Sequence, residues 1–484
     1  MKVLFASSEA VPYAASGGLA DVAGALPKAL RRRLIGCRVV LPLYEAVSEE
    51  MRESMRFLGS VTVPVAWRRQ YCGVFEAKHD GVIYYLLDNQ YYFKREGLYG
   101  HYDDAERFAF FSRAVLEILP LIDFWPDVIH CNDWQTALTP VYLKLFYYDN
   151  EPYKKMKTVF TIHNIQYQGQ YDMQILEDVF GIPGWAKSLV EYNGAVNLMK
   201  GGIEACDQVT TVSPTYAQEI LDPWYAYGLE GILKERTWKL QGILNGIDTE
   251  NYDPAADPAI AAPYSAEDPA GKRACKEALL REMNLPFDEA VPVVGMVSRL
   301  VGHKGLDLVK YILEELLIQP IQFVVLGSGE CGYETFFREM AERHPDKVAF
   351  RCGFVPALSR RIYAGSDLFL MPSKSEPCGL SQLIALRYGA IPVVRETGGL
   401  NDTITDVTKE NGNGFTFFAY NAHDMGTAVT RGAEAFGDKE KWNILVRRAM
   451  ECDNSWNRSA DEYIKLYRRL TKKQGNEGKQ RETL

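Results

Sequence analysis

What this sequence has little of narrows it first. It contains nine cysteines, an odd and widely spaced set with no Cys-x-x-Cys pair. Neither a disulfide framework nor a thiolate metal site is indicated, and the usage is that of reduced thiols. No apolar stretch approaches the length needed to cross a bilayer. The N-terminus, one Lys and a short apolar run, does not read as a secretion signal. Basic residues are outnumbered, 54 Lys and Arg against 63 Asp and Glu for a net charge of −9, and no basic face offsets this. That argues against a general nucleic-acid binder. His and carboxylates nowhere adopt a spacing such as H-E-x-x-H, so no metal is expected. The expectation is a cytoplasmic protein with no membrane or nucleic-acid partner.

A length of 484 residues suggests two domains. Short β-branched runs alternate with amphipathic helical patterns: VLFA from Val3, RVVL from Arg38, VIYYLL from Val82, DVIH from Asp127, TVFTI from Thr158, QVTTV from Gln208 and GILN from Gly242. A second series holds VPVVGMV from Val291, QFVVLG from Gln322, VAF from Val348, LFLM from Leu368 and IPVV from Ile391. Near-continuous apolar strands separated by helices predict an α/β protein with parallel sheets. The Pro-, Ala- and Asp-rich stretch from Tyr252 to Pro269 reads as a linker between the two series. Leu19, Val22, Ala23, Leu26 and Leu30 mark a helical face, with a kink expected at Pro27. The charged tail from Arg469 to Leu484 is expected to fray.

In such sheets ligands bind beyond the carboxyl ends of the strands. Those positions hold Ser16-Gly17-Gly18, Asn132-Asp133-Trp134 and His163-Asn164 in the first series. In the second they hold Ser298-Arg299, Gly327-Ser328-Gly329, Ser373 with Glu376, and Arg395 to Gly399. Gly17-Gly18 at a helix start could offer bare amides to an anion, although a plain tight turn explains a lone Gly-Gly equally well. A dinucleotide oxidoreductase needs a G-x-G-x-x-G loop, which Gly17-Gly18 does not spell. Arg299 and Lys304, the latter placed in the first turn of the next helix, could hold a diphosphate by fork and point charge. They could equally be solvated surface charges. Glu376 is either a helix cap or a carboxylate turned to a ligand, with the amides near Leu380 and Ser381 receiving a phosphate. Cys378 reads as a packed thiol. Asp133-Trp134 and the aromatics Tyr91, Tyr92, Phe93, Tyr99 and Tyr102 suit sugar stacking or core filling.

Taken together and in order, SGGLADVAGALPKAL, YYFKREGLYGHYDDAERFAFFSRAVLE, HCNDWQTALTPVYL, TIHNIQYQGQ, VTTVSPTYAQEI, ILNGID, SRLVGHKGLDL, SEPCGLSQLIALRYG and ETGGLNDT make a specific pattern. Over nearly its full length the chain resembles the bacterial glycogen synthase and plant starch synthase family. Related sugar transferases often carry a second acid at the position of Ile384, and its absence fits the glucan synthases better.

The resemblance implies a GT-B fold, two facing Rossmann-like domains with a deep interdomain cleft. Residues 1–255, with a crossing helix at about 455–475, would form the acceptor side and 256–454 the donor side. It implies transfer of glucose from ADP-glucose to the non-reducing end of an α-1,4-glucan such as glycogen or a malto-oligosaccharide, with retention and no cofactor. Glu376, His163, Arg299 and Lys304 would be the catalytic set. The donor would meet Ala15, Ser16, Gly17, Gly18, Asp21, Phe354 (stacked on adenine), Leu380, Ser381, Gly398 and Gly399. Glucose or acceptor would meet Tyr99, Asp133, Trp134, Asn164 and Asn245. The chain departs from the family pattern at Ala15, where a donor-contacting Lys is usual, and at Gly302-His303, where Asp-Gln is common. The first departure raises an alternative, a glucan-binding protein with strongly reduced catalysis.

Overall fold

The computed structural model describes residues 1–481, and side chains as far as residue 472. The chain forms two compact units. The first comprises Met1–Val212, Ala217–Asn245 and the C-terminal segment from Trp456; the second comprises Ser213–Tyr216 and Gly246–Ser455.

The first unit is built on β1 (Lys2–Ala6), β2 (Gly36–Pro42), β3 (Arg56–Val65), β4 (Arg68–His79), β5 (Val82–Asp88), β6 (Val128–Asn132) and β7 (Lys157–Ile162). A small antiparallel sheet of β8 (Gln170–Asp172), β9 (Glu191–Tyr192) and β10 (Ala195–Asn197) precedes β11 (Gln208–Thr211) and β12 (Leu240–Gly242). The main sheet runs β12-β11-β7-β6-β1-β2-β5-β4-β3. It is parallel except for the β3–β4 and β4–β5 pairings. Val3, Leu4, Phe5 and Ala6 are fully buried, as both faces of a parallel strand must be covered. The hairpin β3–β4 is missing from the sequence reading because its strands lie at the sheet's edge, where half-buried, mixed residues replace the apolar run.

The helix Gly18–Arg32 follows β1 and runs unbroken through the buried Pro27. Asp21 lies in its first turn and Arg31 and Arg32 in its last, complementing its dipole. The last helix, Trp456–Arg481, departs from expectation: it is helical where fraying was anticipated, while 482–484 lie outside the described residues. Trp456, Ala460, Tyr463, Ile464 and Tyr467 pack into the core around β1 and β2. His130, buried on β6, hydrogen-bonds Tyr467 Oη and Thr161 Oγ1, each at 2.6 Å.

The second unit has one parallel sheet of β13 (Val293–Val297), β14 (Gln322–Gly327), β15 (Val348–Cys352), β16 (Leu368–Met371), β17 (Ile391–Arg395) and β18 (Phe415–Phe417), ordered β15-β14-β13-β16-β17-β18. The stretch Tyr252–Pro269 is a packed part of this unit, which corrects its reading as a linker. Tyr264 is buried and donates to Tyr388 O at 2.8 Å, and Asp257 pairs with Arg360 at 3.0 Å.

Candidate active site

In each sheet the parallel crossovers change side at one point. In the first unit the reversal falls between β1 and β6, in the second between β13 and β16. A crevice opens at such a point because successive crossovers leave in opposite directions, and the loops there diverge. Asp133 and Ser16 follow the strands at the first of these places, and Arg299, Lys304 and Glu376 those at the second, while Asn245, Phe354 and Gly398-Gly399 follow β12, β15 and β17.

In the first unit β1, β6 and β7 are adjacent and parallel, so their following loops share one edge. After β1 comes Glu9, which the sequence reading missed. Its Oε2 accepts from Ser16 N–H at 2.5 Å and Ser16 Oγ–H at 2.7 Å, and Gly17 N–H also reaches it. The loop amides therefore already hold an internal carboxylate, and the glycine pair is shaped around it. The one signal in the sequence is an acid three residues past the end of β1. Burial raises Glu9 above the ordinary carboxylate range despite these donors. Ser8 Oγ, next door, lies 2.7 Å from Tyr99 Oη. Ala15 is exposed, and so is Asp21 on the helix that follows.

Asp133, after β6, adopts φ 55 and ψ 179, a backbone region unfavourable to any residue but Gly and typical of functional sites. Its Oδ1 accepts from His163 N–H at 2.8 Å, and Asn164 N–H adds to this. Burial nevertheless pushes the carboxyl up to about 7. His163, after β7, donates from Nε2 to Asn132 Oδ1 at 2.9 Å. The direction is set because the Asn132 amide nitrogen is spent on Ala6 O at 2.9 Å. Burial drops the imidazole to about 3, so it is neutral with its lone pair on Nδ1. Asn164 Oδ1 caps its own loop through Gln166 N–H at 3.0 Å. Asn245 is buried, and its Oδ1 has no partner among the described residues. Trp134 is a core residue instead of a sugar platform: it is buried, edge-on to Phe108, and packed over Gly169. Tyr92 and Phe93 are likewise core, while Tyr91 and Tyr102 are exposed.

In the second unit β13 leads to Arg299 and a short 3-10 turn, Gly302–Lys304, and β16 leads to Ser373 and Glu376. Lys304 thus precedes the helix Leu306–Leu316 instead of lying in its first turn, a correction to the sequence reading. Gly305 caps that helix at φ 75, where a Cβ would lie 2.0 Å from Pro372 O. Lys374 N–H donates to His303 O at 2.9 Å, which joins the two loops further. Their product is an ion pair, Lys304 Nζ to Glu376 Oε2 at 2.6 Å, with Ser373 Oγ–H on the same oxygen at 2.9 Å. Burial pushes the Glu376 carboxyl up, but Lys304 and Ser373 outweigh it and hold it below its ordinary range. Arg299 is exposed and its side chain makes no ion pair or hydrogen bond among the described residues.

The N–H groups of Leu380 and Ser381, at the start of the helix Ser381–Arg387, have no partner among the described residues. Gly398 and Gly399 pack on the Glu376 loop, where a Cβ on either would lie 2.0 Å from Glu376 O or Cys378 O. Cys378 is buried. Phe354 is 89% exposed after β15. The pattern an oxidoreductase would need does occur here, as Gly327-Ser328-Gly329-Glu330-Cys331-Gly332. Its first two glycines serve packing: a Cβ would lie 2.0 Å from Ser298 O at Gly327 and 2.4 Å from Leu300 O at Gly329.

Two Rossmann-like units, the second with a cation pair and open amides at its reversal point, define a GT-B glycosyltransferase. Residues 2–235 match the starch synthase catalytic domain family, and residues 282–439 match glycosyl transferases group 1. A glycogen synthase of Geobacillus thermodenitrificans is 53% identical over 98% of this chain and 99% of its own length. That of Geobacillus stearothermophilus is 52% identical, with the same coverage. The catalytic domain of starch synthase IV from Arabidopsis thaliana, bound to ADP and acarbose, superposes with a TM-score of 0.90 at 35% identity, covering 97% of this chain and 99% of that one.

The chain belongs to the glycogen and starch synthase family. It is a retaining glucosyltransferase of glycogen synthase type, using a nucleotide-sugar donor and a glucan acceptor. The alternative of a glucan-binding protein with strongly reduced catalysis through Ala15 finds no support. Among the described residues no helix is long and apolar enough to cross a membrane.

Proposed function

We propose that the donor is ADP-glucose and the acceptor the non-reducing end of a cytoplasmic α-1,4-glucan, without a cofactor or metal. The observation that carries this reading is the Lys304–Glu376 pair at the β13/β16 reversal with the unpaired Arg299 beside it. As the glycosidic bond to the diphosphate lengthens, negative charge builds on the leaving oxygen. Arg299 and Lys304 neutralise it, and the N–H groups of Leu380 and Ser381 add donors that need no reorganisation. Glu376, kept ionised by Lys304, accepts hydrogen bonds from glucose hydroxyls and orients the ring. Phe354 offers an exposed ring face to the adenine.

In the first unit Asn164, Asn245 and Asp133 bind glucose or acceptor hydroxyls. His163, being neutral, acts as a hydrogen-bonding group, and its carbonyl steadies the oxocarbenium-like state. No carboxylate is needed as covalent nucleophile if departure and attack share one face of the sugar. A comparison of radiolabelled ADP-glucose and UDP-glucose with glycogen as acceptor tests the reading. Incorporation from ADP-glucose that vanishes in Glu376→Ala supports it, and equal or greater use of UDP-glucose overturns the donor assignment.

A further inference from the structure

The turn between β13 and its helix carries a third basic side chain. His303 stands between Arg299 and Lys304, in the tight turn fixed by Gly302 N–H on Glu330 Oε1 at 3.0 Å. Its own carbonyl is held by Lys374 N–H. The ring is half-buried and makes no hydrogen bond among the described residues. The charged groups that act on it are Lys304 and Arg299 from its own segment, Glu376 from the loop after β16, and Glu330 from the loop after β14.

The charge balance of this cluster falls short for a diphosphate. Lys304 is spent largely on Glu376. In this cluster, among the described residues, Arg299 has no acidic partner and Lys304 divides its charge between Glu376 and the incoming donor, whereas a nucleotide-sugar diphosphate brings two negative charges. A neutral imidazole at that spot can make up the difference by taking a proton from solvent. We infer that His303 is a proton-linked ligand of the donor's diphosphate: binding the nucleotide sugar draws a proton onto the imidazole, which then donates to a phosphate oxygen. In the free protein, burial and the neighbouring Lys304 hold the ring below its ordinary range, so it starts neutral near pH 7. The inference rests on the donor reading above.

The test is calorimetric titration of the full chain with ADP-glucose, without glucan, at pH 7 in buffers of differing ionisation enthalpy. ADP-glucose suits it because its diphosphate has no group titrating near neutrality. We expect uptake of up to about one proton per donor bound, and a Kd that weakens by up to about tenfold per pH unit between pH 6 and 8. In His303→Gln the uptake falls by the imidazole's share and the Kd varies less with pH than in the wild type, any remainder belonging to Asp133. Binding without proton uptake in the wild type, or uptake in His303→Gln equal to that of the wild type, overturns this inference alone. If the wild type does not bind ADP-glucose at all, the donor reading falls and this inference with it.

Discussion

Lys304 Nζ lies 2.6 Å from Glu376 Oε2, and both side chains are largely withdrawn from water, 19% and 9% exposed. Removing one member leaves the other charge uncompensated, at a cost of about 3–5 kcal/mol. Glu376→Ala and Lys304→Ala should each unfold at lower denaturant and lose roughly a hundredfold or more in kcat. The double variant Lys304→Met with Glu376→Leu should recover most of the stability and none of the transfer. A double variant that regains activity would show the pair to be merely structural.

Acid should destabilise the protein early. His130 and His163 are both held to about 3, chiefly by burial. Unfolding lets each bind a proton below pH 6.5, the ordinary His value. Their contribution is complete above that pH and is lost progressively as pH falls from 6.5 toward 3. Thermal unfolding should show Tm dropping between pH 6.5 and 5, with a shallower drop in His130→Gln.

Asp133 has the opposite sign. Burial raises its carboxyl to about 7, so folding favours the protonated form, and the cost grows as pH rises from the ordinary Asp range through 7 and is complete above it. Asp133→Asn keeps an acceptor for His163 N–H and removes the charge. It should raise Tm at pH 8, raise it less at pH 5, and reduce transfer at both. A Tm gain equal at the two pH values would contradict the assignment.

Ala15 is exposed beside Ser16, so a longer side chain meets no core there. Ala15→Lys adds one charge-assisted contact, worth about 1.5–3 kcal/mol. The KM for ADP-glucose should fall by about tenfold or more. An unchanged or higher KM would contradict a donor-binding role for the loop.

Gly399 cannot carry a side chain without moving the Glu376 loop, since its Cβ would lie 2.0 Å from Cys378 O. Gly399→Ala should weaken ADP-glucose binding by at least about tenfold and lower Tm, read by calorimetry and thermal scans. Binding at wild-type strength would mean the loop tolerates the shift.

Much of this was written in the sequence in readable form. Runs such as VLFA and QFVVLG are buried on both faces, so composition alone marked them as strands, and the positions just beyond their ends nominated Asp133, His163, Arg299 and Glu376. The hairpin β3–β4 escaped because an edge strand needs no continuous apolar run. Glu9 was passed over because an acid near a glycine pair looks, in one dimension, like any loop residue.

The chain's order of elements and its chemical inventory were settled locally, since period and side-chain type report burial without reference to partners. Which groups meet was not. Lys304 and Glu376 are 72 residues apart and become a pair only because β16 pairs with β13 and Gly305 lets their loops touch. Whether a carboxylate is ionised or an imidazole neutral depends on neighbours and burial supplied by distant parts of the chain, and those only the tertiary structure decides.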